Sequence, residues 1–183
     1  CGIAGVIGSF EDDTENILNS LKNRGPDYQN FYQNKNLVFF HSLLKIMDLS
    51  ENSAQPMIDK KTGNVIIFNG EIYNYKEIRK KYLSESIFNS DTDTEVILKI
   101  YELFGNEVTQ HLKGMFVFAI YDNHKKKVLI FRDNFGIKPL YYSSLESNFF
   151  FSSDIKTLLK FKNVKKELEL NEKIVVSFIG NRQ

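Results

Sequence analysis

Apolar residues in this chain follow two spacings. Most sit in short, nearly continuous runs, and a minority recur every three or four residues. The runs predict strands. CGIAGVIG (1–8) is the first, with glycines at 2, 5 and 8, and NFYQ (30–33) and NLVFFHSLLKIMD (36–48) follow. NVIIFNGEIYN (64–74) reads as a buried strand that breaks into a glycine turn. GMFVFAIYD (114–122), a lysine-rich turn NHKKK (123–127) and KVLIFRDNF (127–135) predict a hairpin, and PLYYSS with NFFFSSD predicts a second.

The helical spacings are fewer. DDTENILNSLKNRG (12–25) turns Ile17, Leu18 and Leu21 inward, and YKEIRKKYL (75–83) turns Ile78, Tyr82 and Leu83 to one side. DTDTEVILKIYELFG (91–105) is the strongest: Thr92 and Glu95 have capping-box spacing, Val96, Ile97, Ile100, Tyr101 and Phe104 form a stripe, and Gly105 marks the stop. IKTLLKF (155–161) predicts a short helix, while RGPD (24–27) and SENSAQP (50–56) read as turn and loop. VIIF and MFVFAI are apolar on both faces, so their strands need cover on each side. A sheet packed on a sheet with helices outside meets that need; a single sheet with helices on both faces is the alternative.

Length and composition narrow the function. At 183 residues the chain suits one domain with a short tail. A net charge of +1 gives no field for nucleic acid or a membrane surface. No apolar run approaches the ~20 residues needed to span a bilayer. A single cysteine permits no internal disulfide, which points to a reducing, cytoplasmic setting.

That cysteine is residue one. Its thiol is a nucleophile once deprotonated. Its own free α-amine, with an ordinary pKa of about 7.7–8.0, can take the proton at neutral pH. No histidine is then required, and only His41, His111 and His124 occur. The scheme demands that nothing precede Cys1, so an initiator Met must be removed. Acyl transfer also needs oxyanion donors. FNGE (68–71) offers the Asn69 side-chain amide and the Gly70 N–H, the latter without a Cβ to obstruct a ligand. Glu71 and Asp93 are carboxylates able to grip an ammonium group. Each feature also has a plain reading: Cys1 as a remnant or lipid-anchor site, Asn69-Gly70 as a hairpin turn, Asp93 as a helix-start acid, His41 as a packed core residue.

Taken together, the segments resemble the glutaminase domain of glutamine-dependent asparagine synthetase, a class II amidotransferase. The matching words are CGIAGVIG (1–8), NRGPD (23–27), AQPM (54–57), FNGEIYNY (68–75), SDTDTEVIL (90–98), GMFVFAIYD (114–122), RDNFGIKPLYY (132–142) and FSSDIKTLL (151–159). The resemblance implies an α+β fold, the four-layer αββα sandwich of N-terminal-nucleophile hydrolases. It implies that Cys1 attacks the side-chain amide of glutamine, that Asn69 and Gly70 hold the oxyanion, and that Glu71 and Asp93 bind the α-amino end. Glutamate and ammonia are the products, and neither a metal nor a cofactor is expected in this domain.

One position departs from the family pattern H-x-R-L-x-I. Here HSLLKI places Leu43 where an arginine would fix the glutamine α-carboxylate. Lys45, two residues on in a strand, points to the same face and is the expected substitute charge. Ile46 and Met47 match a stretch whose backbone contacts glutamine. The family's second domain, which activates aspartate with ATP and Mg²⁺, carries an S-G-G-x-D-S loop that this sequence lacks. The expected organisation is therefore a glutaminase domain over 1–163, with 164–183 starting a linker toward a synthetase domain. The apolar VVSFIG (175–180) is a candidate to pack on that partner. Alternatives are a lipid-anchored surface protein, a degenerate glutamine-binding or regulatory module, and an amidotransferase serving a non-aspartate acceptor.

Overall fold

The computed structural model describes residues 1–44 and 53–169. Two antiparallel sheets stack face to face. Sheet one contains β1 (Gly2–Ile7), β2 (Tyr28–Asn34), β3 (Leu37–Leu43), β8 (Tyr141–Leu145) and β9 (Asn148–Ser152), in the order β2-β3-β1-β9-β8. Sheet two contains β4 (Met57–Ile58), β5 (Val65–Ile72), β6 (Gly114–Asp122) and β7 (Lys127–Arg132), in sequence order. Both predicted hairpins form, β6 with β7 and β8 with β9.

Strand alternation sorts the apolar side chains into three layers. Ile3, Leu37, Phe39 and Phe151 of sheet one meet Val65, Ile67, Val117 and Ala119 of sheet two. The alternate residues Ala4, Val6, Val38, Phe40 and Phe150 face outward and are covered by α1 (Thr14–Leu21), α4 (Ile155–Leu158) and α5 (Lys162–Lys166) through Ile17, Leu21, Leu158 and Val164. On the far side, Ile66, Phe68, Phe116, Phe118 and Ile120 pack on α2 (Tyr75–Tyr82) and α3 (Asp93–Phe104). Helix, sheet, sheet, helix is the four-layer order, and the two-sided strands are those with a layer on each side.

Local signals set the ends of the elements. Asp13 and Thr92 cap α1 and α3 by accepting from the N–H of Glu15 and Glu95. Gly105, with φ of +53°, ends α3 and leads into a 3-10 segment, Gly105–His111. The predicted 12–25 helix is shorter, running to Leu21 with one 3-10 turn at Lys22–Arg24. The boundary expected at 163/164 falls inside α5, whose Val164 is buried among the outer-layer residues. Lys45, Ile46, Met47 and the 175–180 segment lie outside the described residues.

Strand β5 differs from expectation in a way that shapes the site. It does not break at its glycine. It continues to Ile72, with Asn69 opposite Val117 and Gly70 opposite Phe116. The reason is steric: a Cβ on Gly70 would lie 2.3 Å from Met115 O and 2.7 Å from Phe116 Cα. The close approach of β6 requires Gly70, and no turn forms there.

Candidate active site

Cys1 sits at the head of β1, and the β1–β3 register, with Gly2 opposite Ser42, carries on to place it beside Leu43. Leu43 is nearly fully buried (6% exposed) and belongs to the odd-numbered side of β3 that faces the other sheet. The position where the family pattern has an arginine is therefore at the nucleophile. Arg24, from the turn after α1, donates from Nε to the Cys1 carbonyl at 3.3 Å. The thiol lies 3.8 Å from the Leu44 carbonyl.

The α-amine of Cys1 is perturbed in the direction catalysis needs. Burial, then the positive charges of Arg24 and Lys138, lower its pKa from 8.0 to about 6. At pH 7 about nine-tenths of it is neutral, against about one-tenth for an unshifted amine. Lys138 is carried by a loop held by hydrogen bonds to Asp133 and Arg132. The Asp133 carboxylate accepts from the N–H groups of Phe116, Phe135, Ile137 and Lys138. Arg132 donates to the carbonyls of Gly136 and Lys138.

Ser153 joins the nucleophile strand to the oxyanion candidate. Its Oγ accepts from the N–H of Ile3 at 3.0 Å and from Asn69 Nδ2 at 3.4 Å. Asn69 is buried and lies on the side of β5 that faces the first sheet. Nδ2 carries two hydrogens, so one remains for a ligand.

The free edge of β5 aims the second donor. β4 pairs only with Val65 and Ile66. Beyond them, side chains replace the missing strand. Gln55 Oε1 accepts from Phe68 N at 2.7 Å, His41 Nε2 donates to the Phe68 carbonyl at 3.1 Å, and Asp93 Oδ2 accepts from Ile72 N at 2.9 Å. Residues two apart in a strand turn their N–H the same way. Gly70 N–H therefore faces this edge, between two positions already filled. A carbonyl can only accept, so His41 carries its proton on Nε2; its Nδ1 has no partner among the described residues. Burial, opposed by the bond to Phe68 and reinforced by the positive amino terminus, holds His41 down at about 3.

Asp93 heads α3 and is buried, 4% exposed. Burial raises its carboxyl to about 6, and the nearby Glu71 charge adds to the rise; backbone N–H groups of Ile72 and Thr94 oppose it. A buried, destabilised carboxylate beside a second acid is a site for a cation. Cys1, Asn69, Gly70, Glu71, Asp93 and Leu43 thus gather around one end of the two sheets. Arg24, Ser153, Gln55 and Lys138 lie within the matching words and His41 opens HSLLKI, but no spacing in the sequence marks their contacts. Among the described residues no group of three His, Cys, Asp or Glu could hold a metal, and no helix is long and apolar enough to cross a membrane.

A family model described as a glutamine amidotransferase domain matches residues 1–181. The chain is 36% identical over 199 residues to the putative asparagine synthetase [glutamine-hydrolyzing] 2 of Methanocaldococcus jannaschii, covering 96% of this chain and 38% of that protein. It is 36% identical over 166 residues to asparagine synthetase B [glutamine-hydrolyzing] of Escherichia coli, covering 87% of this chain and 30% of that one. It thus spans less than two fifths of the length of these relatives. Among solved structures, the glutamine phosphoribosylpyrophosphate amidotransferase of B. subtilis superposes with a TM-score of 0.69 over 88% of this chain and 43% of that one, at 18% identity. That likeness is one of fold.

Proposed function

From the premise that this chain belongs to the glutamine amidotransferase domain family, we propose that it hydrolyses the side-chain amide of glutamine through a thioester on Cys1. The observation that carries the reading is the Cys1 amine, drawn down to about 6 on the same residue as the chain's only thiol. The neutral amine takes the thiol proton. The thiolate attacks the amide carbon, and the carbonyl electrons move onto oxygen. Asn69 Nδ2–H and Gly70 N–H donate to that oxyanion. The Cys1 ammonium returns its proton to the leaving nitrogen, and the C–N bond breaks to release ammonia. Water, deprotonated by the same amine, then attacks the thioester; the C–S bond breaks, giving glutamate and the free thiol. Nucleophile, base and oxyanion donors all belong to the chain, so this hydrolysis needs no cofactor.

Glu71 and Asp93 hold the substrate ammonium. With Leu43 in place of the arginine, Lys45 supplies the charge for the α-carboxylate, and the backbone of Ile46 and Met47 completes the contact. Loss of a charge-assisted bond costs about 1.5–3 kcal/mol, so Lys45→Ala raises the glutamine KM about 10- to 150-fold. An unchanged KM removes Lys45 from this role. The ammonia passes to an ATP- and Mg²⁺-dependent asparagine synthetase domain, the partner that the two named synthetases support, in the cytoplasm.

The test is labelling with a diazo-ketone mimic of glutamine, then mapping of the adduct. The adduct belongs on Cys1, and Cys1→Ala releases no glutamate. Glutamate release that survives Cys1→Ala, or a Cys1 amine found acylated by intact mass, refutes the reading.

A further inference from the structure

We infer that Gln55 is a positioning residue that locks the oxyanion strand to the substrate-ammonium helix; the inference rests on the glutaminase reading above. Gln55 is buried, 3% exposed, and its amide makes two directed bonds. Oε1 accepts from Phe68 N at 2.7 Å, and Nε2 donates to Thr94 Oγ1 at 3.2 Å. The Phe68 N–H can only donate, which fixes the oxygen toward β5 and the NH₂ toward α3.

Both ends of that bridge abut the chemistry. Phe68 immediately precedes Asn69, and its carbonyl is held from the other sheet by His41. Thr94 immediately follows Asp93, and its N–H is one of the groups bonded to the Asp93 carboxylate. β5 has no partner strand on this edge beyond Ile66 among the described residues, so Gln55 replaces a strand bond that would otherwise fix the edge. The distance between the oxyanion donors and the ammonium-binding acid must match one molecule, glutamine. A single amide spanning strand and helix turn sets that distance. Gln55 touches no reacting atom; it acts through Phe68 and Thr94.

Gln55→Met keeps the length of the side chain and removes both bonds. Glutamate release then loses at least about tenfold in kcat, because mispositioned donors forfeit part of the oxyanion stabilisation. Alkylation of Cys1 by iodoacetamide displaces iodide at a saturated carbon and forms no oxyanion, so its rate stays within about twofold. The chain has one cysteine, which makes the label unambiguous. Thr94→Val keeps the Phe68 bond and loosens only the helix turn; it raises the glutamine KM about threefold or more with kcat within about twofold. A Gln55→Met kcat within twofold of wild type, or equal losses in glutamate release and alkylation, overturns the inference. Should Gln55→Met not fold, an unchanged KM in Thr94→Val overturns it alone. Wild-type protein that alkylates at Cys1 yet releases no glutamate overturns the functional reading, and this inference with it.

Discussion

Asp93→Asn separates what the site costs the fold from what it gives the substrate. The Asp93 carboxyl is raised from 3.8 to about 6, chiefly by burial and further by Glu71. A raised acid pKa means that the folded state holds the proton more tightly than the unfolded chain. Above pH 6 the fold carries an ion that burial penalises; as pH falls from 6 toward 3.8 the folded carboxyl is protonated first, and stability is regained. At about 1.4 kcal/mol per pKa unit, a shift of about two units withholds up to ~3 kcal/mol at pH 7.5, and about half that at pH 5. Asparagine has nearly the same shape, and its oxygen still accepts from Ile72 N–H. Urea unfolding at the two pH values is the assay. The variant is more stable by ~2–3 kcal/mol at pH 7.5, with a smaller advantage at pH 5. It also loses the countercharge for the substrate ammonium, so its glutamine KM rises about 10- to 150-fold. A variant that is less stable than wild type at pH 7.5, or whose advantage does not change with pH, refutes the reasoning.

Gly70→Ala drives a Cβ into Met115 O and Phe116 Cα, which are backbone atoms that cannot rotate away. It costs about 1–3 kcal/mol in unfolding free energy and suppresses glutamate release; a neutral effect on both would show that β5 and β6 are not so close. His41, held at about 3 by burial, is neutral in the fold at every pH from 7 down to about 4. A lowered histidine pKa means that the unfolded chain binds the proton first, so stability falls as pH drops from 6.5 toward 3. The nitrogen NMR shifts of the ring show the Nε2–H tautomer unchanged to pH 4, and a titration near 6.5 contradicts the burial that keeps the ring neutral.

The layers were legible because burial on both faces leaves a mark in composition. VIIF and MFVFAI could not face water on either side, and β5 and β6 are the strands with a sheet in front and helices behind. The caps at Thr92 and Gly105 were legible for a different reason: each depends on neighbours in sequence. The extension of β5 was not. Asn-Gly favours a turn locally, yet pairing with Gly114–Phe116 overrides it, and that pairing is set by residues more than forty positions away. The site divides likewise. Cys1 was visible because one residue holds both thiol and amine. The Ser153 hydroxyl was not, because it meets Ile3 across 150 residues of chain. Gln55 and His41 matter only because β4 begins at Met57 and so leaves β5 unpaired beyond Ile66, which the strand pattern does not encode. Leu43 stands out only against a family pattern; the β1–β3 register explains why the substitution falls beside the nucleophile.

The pH profile of glutamate release, measured for the wild type and for Arg24→Gln, tests most directly whether the α-amine of Cys1 is the base. The base must be neutral, so activity is lost as pH falls through its pKa. At saturating glutamine, where the substrate ammonium keeps Asp93 ionised, wild type should show one acid limb near pH 6. Removing the Arg24 charge makes the ammonium form easier to reach, so the limb moves upward, toward 8. A wild-type limb near 8, or one that does not move in Arg24→Gln, would contradict the assignment.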